Sequence, residues 1–301
     1  MKTIGIVGAG ALGSYYGCRM VEAGQEVRFL LRSDYEEVCR QGFEIKSRDG
    51  DFVVREPFVF NNSDEMGPVD LVVVAWKATA NEYAKEVIGP LLHEGTKILT
   101  LQNGLGNVEF FENLFGRGRI LGALCFVGIN RLAAGRISHT VGGMITVGES
   151  VETGVLDQMS TLFGERVEVK LTSDLALAQW NKLIWNIPFN GLCVTEGGID
   201  TEELLARSGM SELVLGIMRE VQQVARALGH QIEDSFLEGQ LERTLQMGRY
   251  KPSSMLDYVN GLPLEVEAIW GKPVQAAEEV GVEVPHLRKL QGELARLDRE
   301  R

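Results

Sequence analysis

The stretch TIGIVGAGALG, Thr3 to Gly13, decides how the rest of the chain is read. Thr3 to Val7 is a short β-branched run of the kind a pleated strand favours, and glycines follow it at positions 8, 10 and 13. A helix-type pattern then runs from Ala11 to Ala23 and stops at Gly24, after which Glu26 to Leu31 is strand-like again. Strand, glycine turn, helix, strand is the first unit of a doubly wound α/β sheet. In that setting Gly8 makes the sharp turn, Gly10 lets a pyrophosphate approach the backbone, and Gly13 lets the helix lie close on the strand. The loop and first helical turn, Gly8, Ala9, Gly10, Ala11, Leu12 and Gly13, then present amide donors and the positive end of a helix dipole to phosphate. A bare GxGxxG is a weak pattern, and a structural glycine turn is its bland reading. Its place after a strand and before a helix makes a dinucleotide site the expectation.

Working outward, further strand-like runs occur at Leu71–Ala75 (LVVVA), Lys97–Leu101 (KILTL), Ile120–Val127 and Met144–Val147. Near-continuous apolar strands suit a parallel sheet covered on both faces. After Leu171 the patterns are helical: Asp174–Val194, Thr201–Ala227, Asp234–Gly248, Pro263–Val280 and Val284–Leu297. The expected fold is an α/β, Rossmann-type doubly wound sheet with a C-terminal all-helical domain. The expected division is residues 1–171 for nucleotide binding and residues 172–301 for substrate and catalysis.

Composition bounds the partners. The 301 residues are 45% hydrophobic and 24% charged, which is globular and excludes disordered and fibrous classes. A formal net charge of −12 argues against nucleic acid or an anionic membrane, since both need a cationic surface. No run reaches the roughly 20 apolar residues of a membrane helix. The N-terminal apolar run is short and glycine-rich, unlike a secretory leader, so a soluble cytoplasmic protein is expected. Cys18, Cys39, Cys125 and Cys193 are widely spaced and read as buried thiols in a reducing compartment. His93, His139, His230 and His286 lie outside every motif, and neither HExxH nor GxSxG occurs, so no metal is expected. Oligomeric state is not readable, and a homodimer stays open.

The second strand ends in Arg32-Ser33 where an acidic residue would hold the ribose of NAD. Arginine beside a hydroxyl suits a 2′-phosphate, which favours NADP over NAD. Asp34 comes late for the acidic role, although a shifted loop could bring it in. Lys77 lies just past LVVVA and Asn103 just past KILTL, at the carboxyl ends of strands where α/β folds hold ligands. Their bland readings are a solvated loop lysine and an Asn-Gly turn.

The segment WNKLIWNIPFN, Trp180 to Asn190, carries Lys182, Asn186 and Asn190 at steps of four. On a helix each step turns about 40°, so the three form one polar stripe. Alone, that stripe reads as a polar seam between helices with a snorkelling lysine. Pro188 should kink or bend the helix.

The order GAGALG, WKAT, QNGLG, WNKLIWNIPFNGL, KPSSML, LEVEAIWG resembles the ketopantoate reductases (2-dehydropantoate 2-reductases) along almost the whole chain. The resemblance implies NADPH-dependent reduction of 2-dehydropantoate to pantoate, on the route to pantothenate and coenzyme A. It implies Lys182 as catalytic lysine, general acid and oxyanion stabiliser, with Glu265 as supporting carboxylate and Glu267 as the competing choice. It places Arg32 on the 2′-phosphate, Lys77 beside the cofactor, Asn103 near nicotinamide and substrate, and Asn186, Asn190 and Ser254 on the substrate. The bland reading of Ser254 is a helix N-cap. An ammonium suits this chemistry because hydride delivered to a ketone leaves charge growing on its oxygen. Selectivity among 2-oxo acids would fall to side chains such as Trp185, Phe189 and Tyr258. A paralogue acting on another 2-oxo acid, and a non-catalytic NADP-binding module, are the alternatives.

Overall fold

Residues 2–300 are described in a computed structural model of the chain. The chain divides into two compact units, residues 1–102 with 107–175, and residues 103–106 with 176–301.

The first unit is built on a ten-stranded sheet. Its strands are β1 (Thr3–Val7), β2 (Glu26–Leu30), β3 (Phe43–Ser47), β4 (Phe52–Val54), β5 (Phe58–Phe60), β6 (Leu71–Val74), β7 (Lys97–Thr100), β8 (Ile120–Ala133), β9 (Arg136–Gly148) and β10 (Val169–Thr172). One stretch of the sheet runs β5-β2-β1-β6-β7-β8, every neighbour parallel. Counting those six strands in chain order gives 3-2-1-4-5-6, the order of dinucleotide-binding sheets. β6, the run LVVV, is buried at every position, as a strand covered on both faces must be.

Beyond β8 the sheet ceases to be doubly wound and becomes mixed. β9 returns antiparallel along β8, β3 lies parallel to the start of β9 and β10 parallel to its end, and β4 closes antiparallel on β3. β8 and β9 are also longer than their apolar cores at 120–127 and 144–147 suggest. Their added residues mix polar side chains such as Asn130, Arg131, Arg136 and Ser138 with scattered apolar ones such as Ile129 and Ile137, and are held by the partner strand, with bulges along the pairing. β3, β4 and β5 are three to five residues long, too short to print a period in the sequence.

The first helix, α1 (Ala11–Glu22), is buried along Gly13–Met20 because it packs against the sheet. Its buried Cys18 and the buried Cys193 of the second unit fit the thiol reading, and burial pushes the Cys193 thiol up to about 12. Cys39, on α2 (Tyr35–Gln41), departs from it and is exposed. The unit is completed by α3 (Ser63–Met66), α4 (Ala84–Ile88), α5 (Asn107–Phe115) and short 3-10 turns.

The second unit is helical: α6 (Leu175–Thr195), α7 (Thr201–Ala206), α8 (Met210–Ala227), α9 (Asp234–Met247), α10 (Ser253–Val259), α11 (Lys272–Val280) and α12 (Pro285–Arg299). The run expected as one helix over Thr201–Ala227 breaks at Arg207-Ser208-Gly209, a turn-forming triplet. The pattern over Pro263–Val280 resolves into a π-helical turn, Glu267–Gly271, and α11. Helix α6 continues through Pro188 as one element of 21 residues. Ile184, Ile187 and Phe189 are fully enclosed in the helical core, with Trp270 donating its Nε1–H to the Ile187 carbonyl at 3.0 Å. That packing holds the helix together across a residue that cannot donate. Among the described residues no helix is long and apolar enough to cross a membrane.

Candidate active site

In the first unit, the glycine turn is shaped by contacts that leave no room for side chains on its inner side. Gly8 has φ +85°, and a Cβ there would run into the Trp76 backbone. At Gly13 a Cβ would meet the Ala75 Cβ at 3.0 Å and the Ile6 Cγ2 at 3.1 Å, so α1 can lie on β1 and β6 only with glycine there. Gly10 differs: a Cβ would meet nothing within 4 Å. It is the N-cap of α1, in extended conformation and without a side chain to cap the helix. The first amides of α1 therefore end at an open surface, in the arrangement that accepts a pyrophosphate. Ala9, Ala11 and Leu12 stand half-buried around it.

Arg32 follows β2 and is exposed. Asp34, the competing acidic residue, is buried and committed elsewhere. Arg131 of β8 grips it through Nε to Oδ2 at 3.0 Å and through Nη2 to Oδ1, Ser33 Oγ donates to Oδ1 at 2.9 Å, and the Gly135 amide donates to Oδ2 at 3.3 Å. Burial works to raise the Asp34 pKa, but these donors and the Arg131 charge outweigh it and hold the carboxyl below its usual range. The shifted loop that would offer Asp34 to a ribose is not the one adopted.

Lys77 is half-buried directly past β6, where it caps a 3-10 turn over Ala78–Tyr83. A network that the spacing of residues could not reveal ties the ends of β6 and β7 together. Asn81 Oδ1 accepts from Trp76 Nε1 at 3.0 Å and from Gln102 Nε2 at 2.7 Å, and Asn81 Nδ2 donates to Asn107 Oδ1 at 3.0 Å. Thr100 Oγ1 in turn donates to Gln102 Oε1 at 3.0 Å. These residues adjoin Lys77 and Asn103 in the chain and are 21 and 26 positions apart in the two longest links.

In the second unit, Lys182 Nζ donates to Asn103 Oδ1 at 2.8 Å. Asn103 is brought there by Gly104, whose φ of +84° and close approach to the Ala268 carbonyl admit only glycine, and by the Leu105 amide, which donates to that carbonyl at 2.9 Å. The Asn-Gly pair is thus a turn that also supplies an acceptor to Lys182. Asn186 and Asn190 are both buried on α6. Asn190 Oδ1 accepts from the Ser254 amide at 2.9 Å and from Ser253 Oγ at 3.3 Å, so it caps the start of α10 from outside. Ser254 is buried one residue inside that helix rather than at its N-cap, which is Pro252. Glu265 is half-buried just before the π turn, whereas Glu267 is 74% exposed and lies 4.0 Å from Lys272 Nζ. Of the selectivity side chains, Phe189 is wholly buried and stacks on Trp185, which in turn donates to Thr244 Oγ1 at 2.9 Å. Among the described residues no cluster of three or more His, Cys, Asp or Glu could hold a metal.

A sheet in this strand order, opening on an anion-ready turn and followed by a helical unit, defines the class of dinucleotide-dependent oxidoreductases. The chain belongs to the ketopantoate reductase family. The family model described as ketopantoate reductase PanE/ApbA matches residues 4–152, and the model of its C-terminal part matches residues 174–298. A 2-dehydropantoate 2-reductase of Nostoc sp. is 40% identical over 97% of this chain and 94% of its own length. The crystal structure of 2-dehydropantoate 2-reductase from Geobacter metallireducens superposes with a TM-score of 0.95 at 42% identity, covering 98% of this chain and 99% of that one. A D-mandelate dehydrogenase solved with NADH and anilino(oxo)acetate shares the fold, with a TM-score of 0.88 at 19% identity over 99% of this chain and 98% of that one.

Proposed function

We propose that this oxidoreductase reduces 2-dehydropantoate to pantoate with NADPH, with Lys182 as general acid and oxyanion stabiliser. The observation that carries the reading is the 2.8 Å hydrogen bond from Lys182 Nζ to Asn103 Oδ1. It joins the ammonium of α6 to the asparagine that follows β7, the strand end where this sheet type holds its ligand. The 40% identity to a 2-dehydropantoate 2-reductase supports the substrate.

The glycine turn and α1 amides would bind the pyrophosphate, Arg32 the 2′-phosphate, and Lys77 and Asn103 the nicotinamide end. Bound NADPH supplies the hydride. As negative charge grows on the substrate carbonyl oxygen, Lys182 Nζ donates a hydrogen bond to it and then a proton. Asn103 aims the ammonium, and Glu265 balances its charge and holds it charged before transfer. Asn186 and Ser254 would bond the substrate's hydroxyl and carboxylate without adding charge. Asn190 contacts substrate in this reading while its Oδ1 fixes the helix that carries Ser254. Pantoate formed this way feeds pantothenate and coenzyme A synthesis, and the reaction belongs in the cytoplasm. The division of labour follows: residues 1–171 bind nucleotide, and residues 172–301 bind and protonate substrate.

Lys182→Ala tests the assignment. It should bind NADPH with unchanged Kd, read by nucleotide fluorescence, and lose about 10²–10⁴ in kcat. Turnover within a few-fold of the parent removes the lysine from its role. Steady-state rates on a panel of 2-oxo acids test the substrate, and a kcat/KM for ketopantoate no higher than for the others replaces it with another 2-oxo acid.

A further inference from the structure

We infer that Arg131, from the far end of the β8–β9 ribbon, is a cofactor-selectivity determinant that acts by withdrawing Asp34 from the ribose. The inference rests on the NADP reading of Arg32. In sheets of this type an acidic side chain shortly after the second strand accepts hydrogen bonds from ribose hydroxyls and repels a 2′-phosphate. Asp34 stands two residues past Arg32 and carries that chemistry. Yet its two oxygens accept from Arg131 Nε, Arg131 Nη2, Ser33 Oγ and the Gly135 amide, which together take up the sites a carboxylate offers. The side chain is only 9% exposed, while Arg131 reaches it from 97 residues away and is itself 43% exposed. Two consequences follow. The negative charge beside Arg32 is neutralised by a fixed cation, and no acceptor is left for a ribose hydroxyl. Arg32 is then an exposed cation at the strand end with no free carboxylate from Asp34 beside it. Arg131 is a positioning residue, since it works through Asp34 and needs no contact with the nucleotide.

The test is calorimetric binding of 2′,5′-ADP and 5′-AMP to the full chain, with NADPH and NADH kinetics beside it. The parent should bind 2′,5′-ADP more tightly. Arg131→Met should cut that preference by about tenfold or more, by freeing a carboxylate near the phosphate, and should raise kcat/KM with NADH. Adding Asp34→Asn to Arg131→Met should restore the preference and abolish the gain with NADH. If Arg131→Met does not fold, Arg131→Lys serves: it keeps a cation but loses the two-point grip, and should lose part of the preference, again restored by Asp34→Asn. Equal weakening of both ligands, or no restoration in the double variant, overturns the inference and marks a merely structural clasp. A parent with no preference for the 2′-phosphate refutes the NADP reading itself, and the inference with it.

Discussion

Asn103 helps to position the Lys182 ammonium. A long, flexible lysine side chain samples many rotamers, and an acceptor held at 2.8 Å favours some of them over the rest. Asn103→Ala removes that acceptor while leaving the Gly104 turn intact. A hydrogen bond to a charged group contributes about 1.5–3 kcal/mol, so kcat should fall roughly ten- to hundredfold. NADPH affinity measured by fluorescence should change much less, and a kcat within twofold of the parent would separate Asn103 from the lysine. Lys182, Asn186 and Asn190 were legible as a stripe because a helix repeats. Asn103 was legible as a strand-end residue and, through the family resemblance, as one near nicotinamide and substrate, but its hydrogen bond to Lys182, 79 positions away, was not.

Elements are joined here by single buried polar groups. Asn190 on α6 accepts from the start of α10, and Asn190→Ala would leave the Ser254 amide without that acceptor in the core. The expected loss of stability is about 1–3 kcal/mol, read from chemical denaturation with the helical signal, and Asn190→Asp should recover part of it. The β3–β9 edge has a second such joint. His139 is fully buried, its Nε2 paired with the Gly142 carbonyl at 2.9 Å and its Nδ1 with Ser47 Oγ at 2.9 Å, while Ser47 Oγ accepts from Arg19 Nη2 at 3.0 Å. The neutral ring, donating to Gly142 and accepting from Ser47, satisfies both of its nitrogens. Burial chiefly, with Arg19 and Arg48, depresses the His139 pKa below 6.5 against the pull of Gly142 and Asp49. The unfolded chain therefore binds a proton first as pH falls, so this contribution is whole above pH 6.5 and is lost from there down through the depressed value. The slope is at most about 1.4 kcal/mol per pH unit. Thermal midpoints of the parent and His139→Gln across pH 5 to 8 should converge on the acid side, and curves that stay parallel would rule the histidine out.

At the scale of the molecule, the chain contributes two separate segments to each unit. Residues 103–106 belong with the helical unit although β7 before them and α5 after them belong with the sheet. The Leu105 amide, bonded to the Ala268 carbonyl, should accordingly exchange with solvent alongside amides of the helical core such as Ile269. Native-state hydrogen exchange in rising denaturant checks this, and exchange of Leu105 in step with Leu99 of β7 instead would assign the segment to the sheet. Net charge, also a whole-molecule property, was fully available from composition and argues against nucleic-acid partners.

By itself the sequence determined the parts whose physics is local. The glycine turn, the apolar parallel strands and the helical stripe each announce themselves within a dozen residues, because backbone sterics and periodic burial act over that distance. Short strands such as β4 and β5 lacked the length to show a period. The sequence also supplied the ordered motifs that resemble ketopantoate reductases. What only the tertiary structure decided were the pairings between residues far apart in the chain: β3 and β10 on β9, Asn81 with Gln102 and Asn107, Lys182 with Asn103, and Arg131 with Asp34. Such contacts depend on which buried polar groups find partners once the core has formed, and no local pattern encodes that choice.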